Sequence, residues 1–255
     1  MIGIVVPTLG TRAAALTKCI QSLQSNNVSR VCIVAPAHVS DEIAIRYPGV
    51  QIVADPRRGL AAAINEGIQT FPREVRYVNW LGDDDQLVDG GLAQLYQALE
   101  NDPSRVLAYG MCEYVNSKGT RLFLNRSAKW SEVLMRFGPQ LVSQPAMLFR
   151  RENFDAVGGL DESLSYAFDL DLLLKLHQIG NFVRVPTIAA RYSWHEEALT
   201  VASRRNSVIE ASKVRTGYVP QKLKFPARIW EFVMRRMIFS AGRMLSAFAE
   251  RKSQS

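Results

Sequence analysis

The stretch Val75-Arg76-Tyr77-Val78-Asn79-Trp80-Leu81-Gly82-Asp83-Asp84-Asp85 decides the fold prediction. Its apolar first part is typical of a buried strand, and three carboxylates follow at the carboxyl end of that strand. Adjacent like charges cost free energy unless a positive group offsets them, and carboxylate oxygens suit Mg²⁺ or Mn²⁺. Because ligands of open α/β sheets bind beyond the carboxyl ends of the strands, the motif favours a metal that holds a phosphate. The alternative is an acidic turn on a solvated surface.

Apolar strands and amphipathic helices alternate around this stretch, which predicts a parallel sheet covered on both faces. The expected strands cover residues 2–6, 31–35, 50–53, 76–81 and 106–114, and the expected helices cover 11–25, 41–46, 59–70 and 91–100. The pattern then changes to a hairpin turn at 115–120, helices at 152–157 and 169–179, and a short strand at 183–185.

Composition allows one large domain, or one domain with an appendage, in 255 residues that are 47% hydrophobic. The three cysteines, Cys19, Cys32 and Cys112, have no metal-type spacing and are odd in number. They favour a reducing compartment. The first residues run directly into a strand, so no signal peptide is expected. No run of about 18 uncharged apolar residues is present, so a spanning helix is not expected.

Positive charge is concentrated near the end of the chain. Residues 201–255 hold 12 of the 31 Lys and Arg residues but only 3 of the 24 Asp and Glu residues. This asymmetry indicates a polyanionic partner, either a nucleic acid or an acidic membrane.

Residues 227–250 predict a basic amphipathic helix. Arg228, Arg235, Arg236 and Arg243 are spaced 7, 1 and 7 apart, from which we expect one arginine-rich face, with Trp and Phe residues covering much of the rest. That pattern fits a helix lying on an anionic membrane surface. The alternatives are a helix docked on its own domain or on a second subunit of a homodimer. Stacking platforms for nucleic acid need interleaved aromatics and polar loops, which this tail lacks, so nucleic acid is not expected as a partner.

Four segments resemble the family-2 glycosyltransferases with the GT-A fold, over residues 2–200. They are Ile4-Val5-Val6-Pro7-Thr8-Leu9, the stretch from Asp55 to Ile68, Trp80-Leu81-Gly82-Asp83-Asp84-Asp85, and residues 144–162 together with 168–172. The resemblance implies an α/β fold with a mostly parallel sheet flanked by helices. It divides the chain into a nucleotide-sugar-binding half (1–114), an acceptor-side half (115–200) and a basic amphipathic C-terminal tail (201–255).

The resemblance also implies a metal site for Mn²⁺ or Mg²⁺. Asp85, the last acid of the motif, would be the direct ligand, with Asp83 or Asp84 near the ribose or a metal-bound water. His195 matches a histidine that some members use as a further ligand, although a solvated loop histidine is the alternative. Further candidates for contacts with the nucleotide sugar are Thr8, Leu9, Arg12, Asp55, Arg58 and Asn65.

Asp169 is the candidate catalytic base. In the family an acid pair at the start of a helix supplies the base, and here Phe168 replaces the first acid of that pair. A neighbouring apolar ring would desolvate Asp169 and raise its pKa, which suits a base. Asp171 is the rival, and a simple helix-capping role for Asp169 is the alternative.

One segment departs from the family pattern. Many relatives carry an acid after the second strand that contacts the nucleobase, whereas this chain reads Val34-Ala35-Pro36-Ala37-His38. Asp55 is the expected substitute, with UDP or dTDP as the expected nucleotide of the donor.

As a whole, the resemblance implies an inverting, metal-dependent transferase that moves a sugar to a hydroxyl of a glycan or lipid-linked acceptor in cell-surface glycan synthesis. We expect it to be cytoplasmic and peripheral on the inner face of the membrane. The chemistry requires stabilisation of the leaving diphosphate, a general base and alignment of two substrates. The alternatives are a nucleotidyltransferase acting on sugar phosphates and a non-catalytic polyanion-binding protein.

Overall fold

The computed structural model of the chain describes residues 1–128, 130–194 and 203–254, with side chains in the last range described as far as residue 247. Its strands are β1 (Ile2–Pro7), β2 (Arg30–Ala35), β3 (Gln51–Ala54), β4 (Tyr77–Trp80), β5 (Gln86–Leu87), β6 (Arg105–Val115), β7 (Arg121–Asn125), β8 (Met147–Arg150) and β9 (Asn181–Ser193). Its helices are α1 (Ala13–Ser25), α2 (Ala37–Arg46), α3 (Leu60–Gln69), α4 (Gly91–Asn101), α5 (Ser131–Leu134), α6 (Arg151–Ala156), α7 (Phe168–Ile179), α8 (Arg204–Gly217) and α9 (Lys224–Gln254).

The described strands form one sheet in the order β3-β2-β1-β4-β8-β6-β9-β5, with β7 paired to β6. Strands β1 to β4 pair in parallel, as the alternating pattern predicts. Strand β8 then lies antiparallel between β4 and β6, and β5 and β7 also pair antiparallel to their neighbours. Strand β9 pairs in parallel with β6. Six of the nine described strands therefore run in one direction, and only β5, β7 and β8 oppose them, so the predicted mostly parallel sheet is confirmed.

Some element boundaries differ from the predictions. Strand β9 covers 13 residues rather than the predicted 183–185, because most of its residues are only half-buried and give a weak apolar pattern. Helix α2 begins at Ala37, directly after Pro36, rather than at 41. Strands β5 and β8 and helices α5 and α8 were not predicted, since each is short or weakly periodic.

Helices cover both faces of the sheet, so alternate residues of its inner strands enter two different cores. In β1, Ile4 and Val6 pack in the core beneath α1 and α4, while Val5 packs on the other side with α3 and α7. Gly67 lets α3 lie close to β1, because a Cβ at that position would stand 2.7 Å from a methyl group of Val5.

The C-terminal helices pack on the rest of the chain. Helix α8 contacts α7, and α9 lies against α8. A buried ion pair joins α8 to α9, with Arg215 contacting both carboxylate oxygens of Glu231 at 2.6 and 2.8 Å. No helix in the described ranges is both long enough and apolar enough to cross a bilayer.

The four arginines of α9 fall within an arc of about 100° around the helix, as their spacing predicts. Arg228 and Arg235 line a groove against α8 at one edge of that arc. Arg236 lies at the other edge, with its guanidinium 5.2 Å from the ring centroid of Phe232. The interior side of α9 is docked on its own domain, and its outer side exposes large apolar side chains.

Candidate active site

The acidic motif forms a buried turn directly after β4. The Asp85 amide donates a 3.0 Å hydrogen bond to the Gly82 carbonyl, and the residue exposures of Asp83 and Asp85 are only 3% and 4%. A solvated acidic turn would leave these side chains in water, so the alternative of a plain surface turn is wrong for two of the three acids.

Residues that follow β1 brace this turn. The Thr8 hydroxyl donates a 2.6 Å hydrogen bond to Oδ2 of Asp83. The Arg12 guanidinium contacts Oδ1 of Asp83 at 2.6 Å and Oδ2 of Asp84 at 2.7 Å. Arg12 therefore offsets part of the negative charge of the motif, a contact that the sequence does not predict.

The end of β9 holds the motif from the opposite side. The Ser193 amide donates to Oδ1 of Asp85 at 3.0 Å, and the Ser193 hydroxyl donates to the Asp84 carbonyl at 2.7 Å. Burial, followed by the charge of Asp84, raises the pKa of Asp85 well above its usual range. Ser193 lies two residues before the candidate His195 in the sequence, but only the fold reveals its role.

A cleft of about 770 Å³ opens beside the motif and brings most of the predicted site residues together. The sequence-predicted residues that line it are Thr8, Leu9, Arg12, Asp55, Asp83, Asp84, Asp85 and Asp169. Asp85 and Asp169, which the sequence separates by more than 80 positions, therefore face one cavity.

Two predicted residues stand apart from this set. Arg58 contacts Glu162 at 2.6 Å. Asn65 exchanges hydrogen bonds with the backbone of Leu160 at 2.9 and 3.0 Å, which ties α3 to the loop before α7. Neither residue lines the cleft in the described part of the chain. His195 lies outside the described residues.

Asp169 stands in the first turn of α7. Its Oδ2 accepts a 2.8 Å hydrogen bond from Nε2 of Gln140, and its Oδ1 accepts one from the Leu170 amide at 2.8 Å. Burial raises the pKa of Asp169, which confirms the predicted direction. The preceding residue, Phe168, is buried with its ring 6.4 Å from that of Trp80.

The rival acid Asp171 points away from the cleft, because two residues advance a helix by about 200°. Its Oδ1 accepts a 2.7 Å hydrogen bond from the Tyr218 hydroxyl, and its Oδ2 lies 2.8 Å from the Lys175 ammonium. Asp171 is thus fixed in a contact between α7 and the end of α8, and the two acids occupy different environments.

Helices α8 and α9 complete the cleft, with Ser207, Val208, Ala211, Arg215 and Ile238 among its lining residues. Glu210 of α8 also accepts hydrogen bonds of 3.1, 2.6 and 2.7 Å from the amides of Ser165, Tyr166 and Ala167. These amides directly precede α7, so α8 fixes the segment from which Asp169 projects. Sequence spacing gives no signal for this contact.

An aromatic wall lies on another side of the cleft, formed by Tyr114, Tyr192 and Trp194. The ring of Tyr114 lies 5.0 Å from Tyr192 and 5.9 Å from Trp194. Its hydroxyl lies 3.1 Å from the Ser143 hydroxyl. The cleft therefore combines an acidic floor with one broad apolar surface.

The donor chemistry of the motif fits a hard divalent cation, because its side chains offer carboxylate oxygens. Among the described residues, hydrogen bonds to Asp85 occupy only its Oδ1. No three His, Cys, Asp or Glu side chains in these ranges already stand in metal-binding geometry.

Comparison with known proteins identifies the family. Residues 3–157 match the family model described as "Glycosyl transferase family 2". The chain belongs to glycosyl transferase family 2. The predicted enzyme class, a glycosyltransferase, is confirmed at the level of the family.

Relatives and solved structures agree with this family. The glycosyltransferase is 25% identical over 191 residues to an "Uncharacterized glycosyltransferase" of Haemophilus influenzae, covering 71% of this chain and 64% of that protein. It is 20% identical over 195 residues to the chondroitin synthase of Escherichia coli, covering 73% of this chain and 28% of that protein. The chain thus spans less than two thirds of the length of either relative.

Two structures share the fold of this glycosyltransferase at low identity. The mannosyltransferase PcManGT from Pyrobaculum calidifontis, in complex with GDP-Man and Mn²⁺, superposes with a TM-score of 0.65 at 16% identity, covering 98% of this chain and 75% of that one. TarS 1-349 of S. aureus, in complex with UDP-GlcNAc, gives 0.62 at 14% identity, covering 88% and 69%. The predicted GT-A fold is confirmed.

Proposed function

We propose that this family-2 glycosyltransferase is an inverting, metal-dependent enzyme that moves one sugar from a nucleoside-diphosphate donor to a hydroxyl of a glycan or lipid-linked acceptor. The observation that carries the proposal is the shared cleft of about 770 Å³, which has the buried acidic motif at one side and Asp169 at another.

The donor would occupy the part of the cleft formed by the carboxyl ends of β1 and β3. Thr8 and Leu9 follow β1, and Asp55 follows β3, so their positions support contacts to a nucleoside. UDP or dTDP is the proposed nucleotide, with Asp55 as the residue that reads the base. The two fold neighbours were solved with GDP-Man and UDP-GlcNAc, which supports a nucleotide sugar as the donor class.

Asp85 would hold the divalent cation, with Asp83 and Asp84 orienting the ribose or water beside it. The raised pKa of Asp85 reflects burial and like charges, which a cation would relieve. When bound, Mn²⁺ or Mg²⁺ supplies Lewis-acid stabilisation of the departing diphosphate. His195 stays a proposed further ligand.

Asp169 would take the proton from the acceptor hydroxyl. Its position in the cleft and its raised pKa both support that role, because a base with a pKa closer to neutral accepts a proton more readily. Gln140 fixes one carboxylate oxygen, and the other lies near the Leu170 amide. Attack from the side opposite the diphosphate would invert the anomeric centre.

The released product tests the enzyme assignment. We expect the full chain to release nucleoside diphosphate from a UDP- or dTDP-sugar when an acceptor is supplied, and EDTA to stop the release. Release of pyrophosphate from a nucleotide and a sugar phosphate would instead indicate a nucleotidyltransferase. Full turnover in metal-free buffer would contradict the metal assignment.

The outer side of α9 would lie on an anionic membrane, which would make the enzyme peripheral on the cytoplasmic face. Ile229, Val233 and Met237 are exposed on that side. Trp230 joins them to the exposed Phe137 after α5, because its Nε1 donates a 2.5 Å hydrogen bond to the Phe137 carbonyl. Exposed apolar surface next to arginines is the pattern of an interfacial helix.

Paired substitutions test this membrane contact without removing a helix that packs on the cleft. Ile229 and Met237 are 58% and 60% exposed on α9, and Ile45 and Ile179 are 83% and 50% exposed on other helices. Ile229→Gln with Met237→Gln should weaken binding to phosphatidylcholine–phosphatidylglycerol vesicles at least about tenfold. Ile45→Gln with Ile179→Gln should leave binding unchanged. Equal binding by both variants, or a wild-type chain that dimerises through α9, would contradict the membrane contact.

A further inference from the structure

We infer that a basic groove between α8 and α9 binds the phosphate of an anionic lipid headgroup, an inference that rests on the proposed membrane contact and makes it specific. The groove has a volume of about 500 Å³. Its cationic side chains are Lys213 at the end of α8, and Lys224, Arg228 and Arg235 in α9. It is separate from the catalytic cleft.

Charge in the groove is unbalanced. Glu231 is the carboxylate that lines it, but both oxygens of Glu231 are already bound by Arg215 at 2.6 and 2.8 Å. In the described ranges, no carboxylate oxygen lies within 4.0 Å of the charged nitrogens of the four groove cations. Gathering four cations around a neutralised acid costs free energy, and an anion in the groove would offset that cost.

The residue types favour phosphate over other anions. Arg228 and Arg235 each present a planar fork that binds two phosphate oxygens together. Lys213 and Lys224 add compact charges that suit the same group. The groove is too small for a nucleic-acid duplex and large enough for a headgroup.

The neighbouring surface identifies a lipid as the source of the phosphate. Arg228 is followed four residues later by exposed Phe232 and preceded by exposed Phe225, which places both rings beside it on the helix. On an interfacial helix the headgroup phosphates lie directly above the apolar side chains that enter the acyl region. Around α9 the two rings lie between Arg228 and Ile229. Arg228 therefore stands at the edge of the apolar outer side, where a long basic side chain reaches the headgroup phosphates.

Two charge-matched variants of the full chain test the site on vesicles of phosphatidylcholine with and without phosphatidylglycerol. Arg228→Gln with Arg235→Gln removes two groove cations, and Arg236→Gln with Arg243→Gln removes two cations of the same helix outside the groove. Each double variant loses the electrostatic attraction of two arginines to the membrane, which lowers its affinity for anionic vesicles about 30-fold. We expect the groove pair to lose at least about tenfold more, because paired phosphate contacts are lost as well.

Equal losses in the two variants would overturn the headgroup site. A second contrary result is that inorganic phosphate without vesicles raises the Tm of the wild-type chain and fails to do so only in the Arg228→Gln, Arg235→Gln variant. That result would show that the ligand is free phosphate and would overturn the lipid assignment. Thermal stabilisation by UDP measures the catalytic cleft separately, and we expect it to be unchanged in both variants. If UDP does not stabilise the wild-type chain, the result counts against the proposed donor and not against the groove.

Discussion

Nε2 of Gln140 lies 2.8 Å from Oδ2 of Asp169 and donates a hydrogen bond to it. This bond lowers the pKa of Asp169 against the larger effect of burial, which raises it. Gln140 therefore both orients the carboxylate and limits its pKa. It follows the exposed loop after α5, where no sequence motif marks it.

Gln140→Ala should move the acidic limb of the pH–rate profile to higher pH. A base must be ionised, so transfer falls as the pH drops through the pKa of Asp169, and loss of the hydrogen bond raises that pKa further. The pH dependence of kcat measures the shift. Gln94→Ala, at an exposed side chain of α4, is the control and should leave the limb in place. An unmoved limb in Gln140→Ala would remove the positioning role.

Asp85→Asn should stabilise the metal-free protein while abolishing its response to Mn²⁺. Because the pKa of Asp85 is raised in the fold, its contribution to stability is present at acidic pH and is lost as the pH rises through that pKa. The amide of the variant still accepts the hydrogen bond from Ser193 but carries no charge. A gain of roughly 1 kcal/mol in the free energy of unfolding should raise Tm by about 2–4 °C at neutral pH.

The matching measurement is a thermal melt with Mn²⁺ at a hundredfold excess over its Kd. The wild-type protein should gain about 2.7 kcal/mol, and Asp85→Asn should gain almost none. The same gain in both proteins would show that Asp85 is not a ligand.

Glu210→Gln should lower kcat with little change in the KM for the donor. The three amides that Glu210 binds precede Asp169 directly, and hydrogen bonds to a charged group contribute about 1.5–3 kcal/mol each. Steady-state kinetics with varied donor give both constants. Glu42→Gln, which removes an exposed ion pair on α2, serves as the control. A variant that changes only the KM would contradict this positioning of α7.

The Arg215–Glu231 pair should show strong non-additivity in urea unfolding. Both side chains are buried, so Arg215→Met alone leaves an uncompensated charge and should cost about 3–5 kcal/mol. The double variant with Glu231→Met should recover most of that loss, because two apolar side chains replace two desolvated charges. Additive losses would mean that the two residues act independently.

Local patterns in the chain predict the N-terminal half of the fold and the acidic motif. Strand β4 and helix α3 have continuous or periodic apolar residues, and Asp83 to Asp85 follow β4 where a parallel sheet opens to ligands. The choice of Asp169 comes from the resemblance to the family, and its apolar neighbour Phe168 predicts the direction in which burial shifts its pKa.

Long-range contacts account for what the sequence does not predict. Ser193 meets Asp85 across 108 positions, and Gln140 meets Asp169 across 29. Glu210 reaches the start of α7 from a helix whose polar surface gives no periodic signal. Such pairs depend on how helices and strands pack, and a single sequence carries no record of that packing.

The most direct test of the central claim is acceptor-dependent release of nucleoside diphosphate by the wild-type enzyme and by Asp169→Asn, with donor binding measured alongside by calorimetry. We predict that Asp169→Asn lowers turnover by about 10²–10⁴-fold, the usual contribution of a general base, while the Kd for the donor stays the same. Turnover by Asp169→Asn equal to that of the wild-type enzyme would contradict the account.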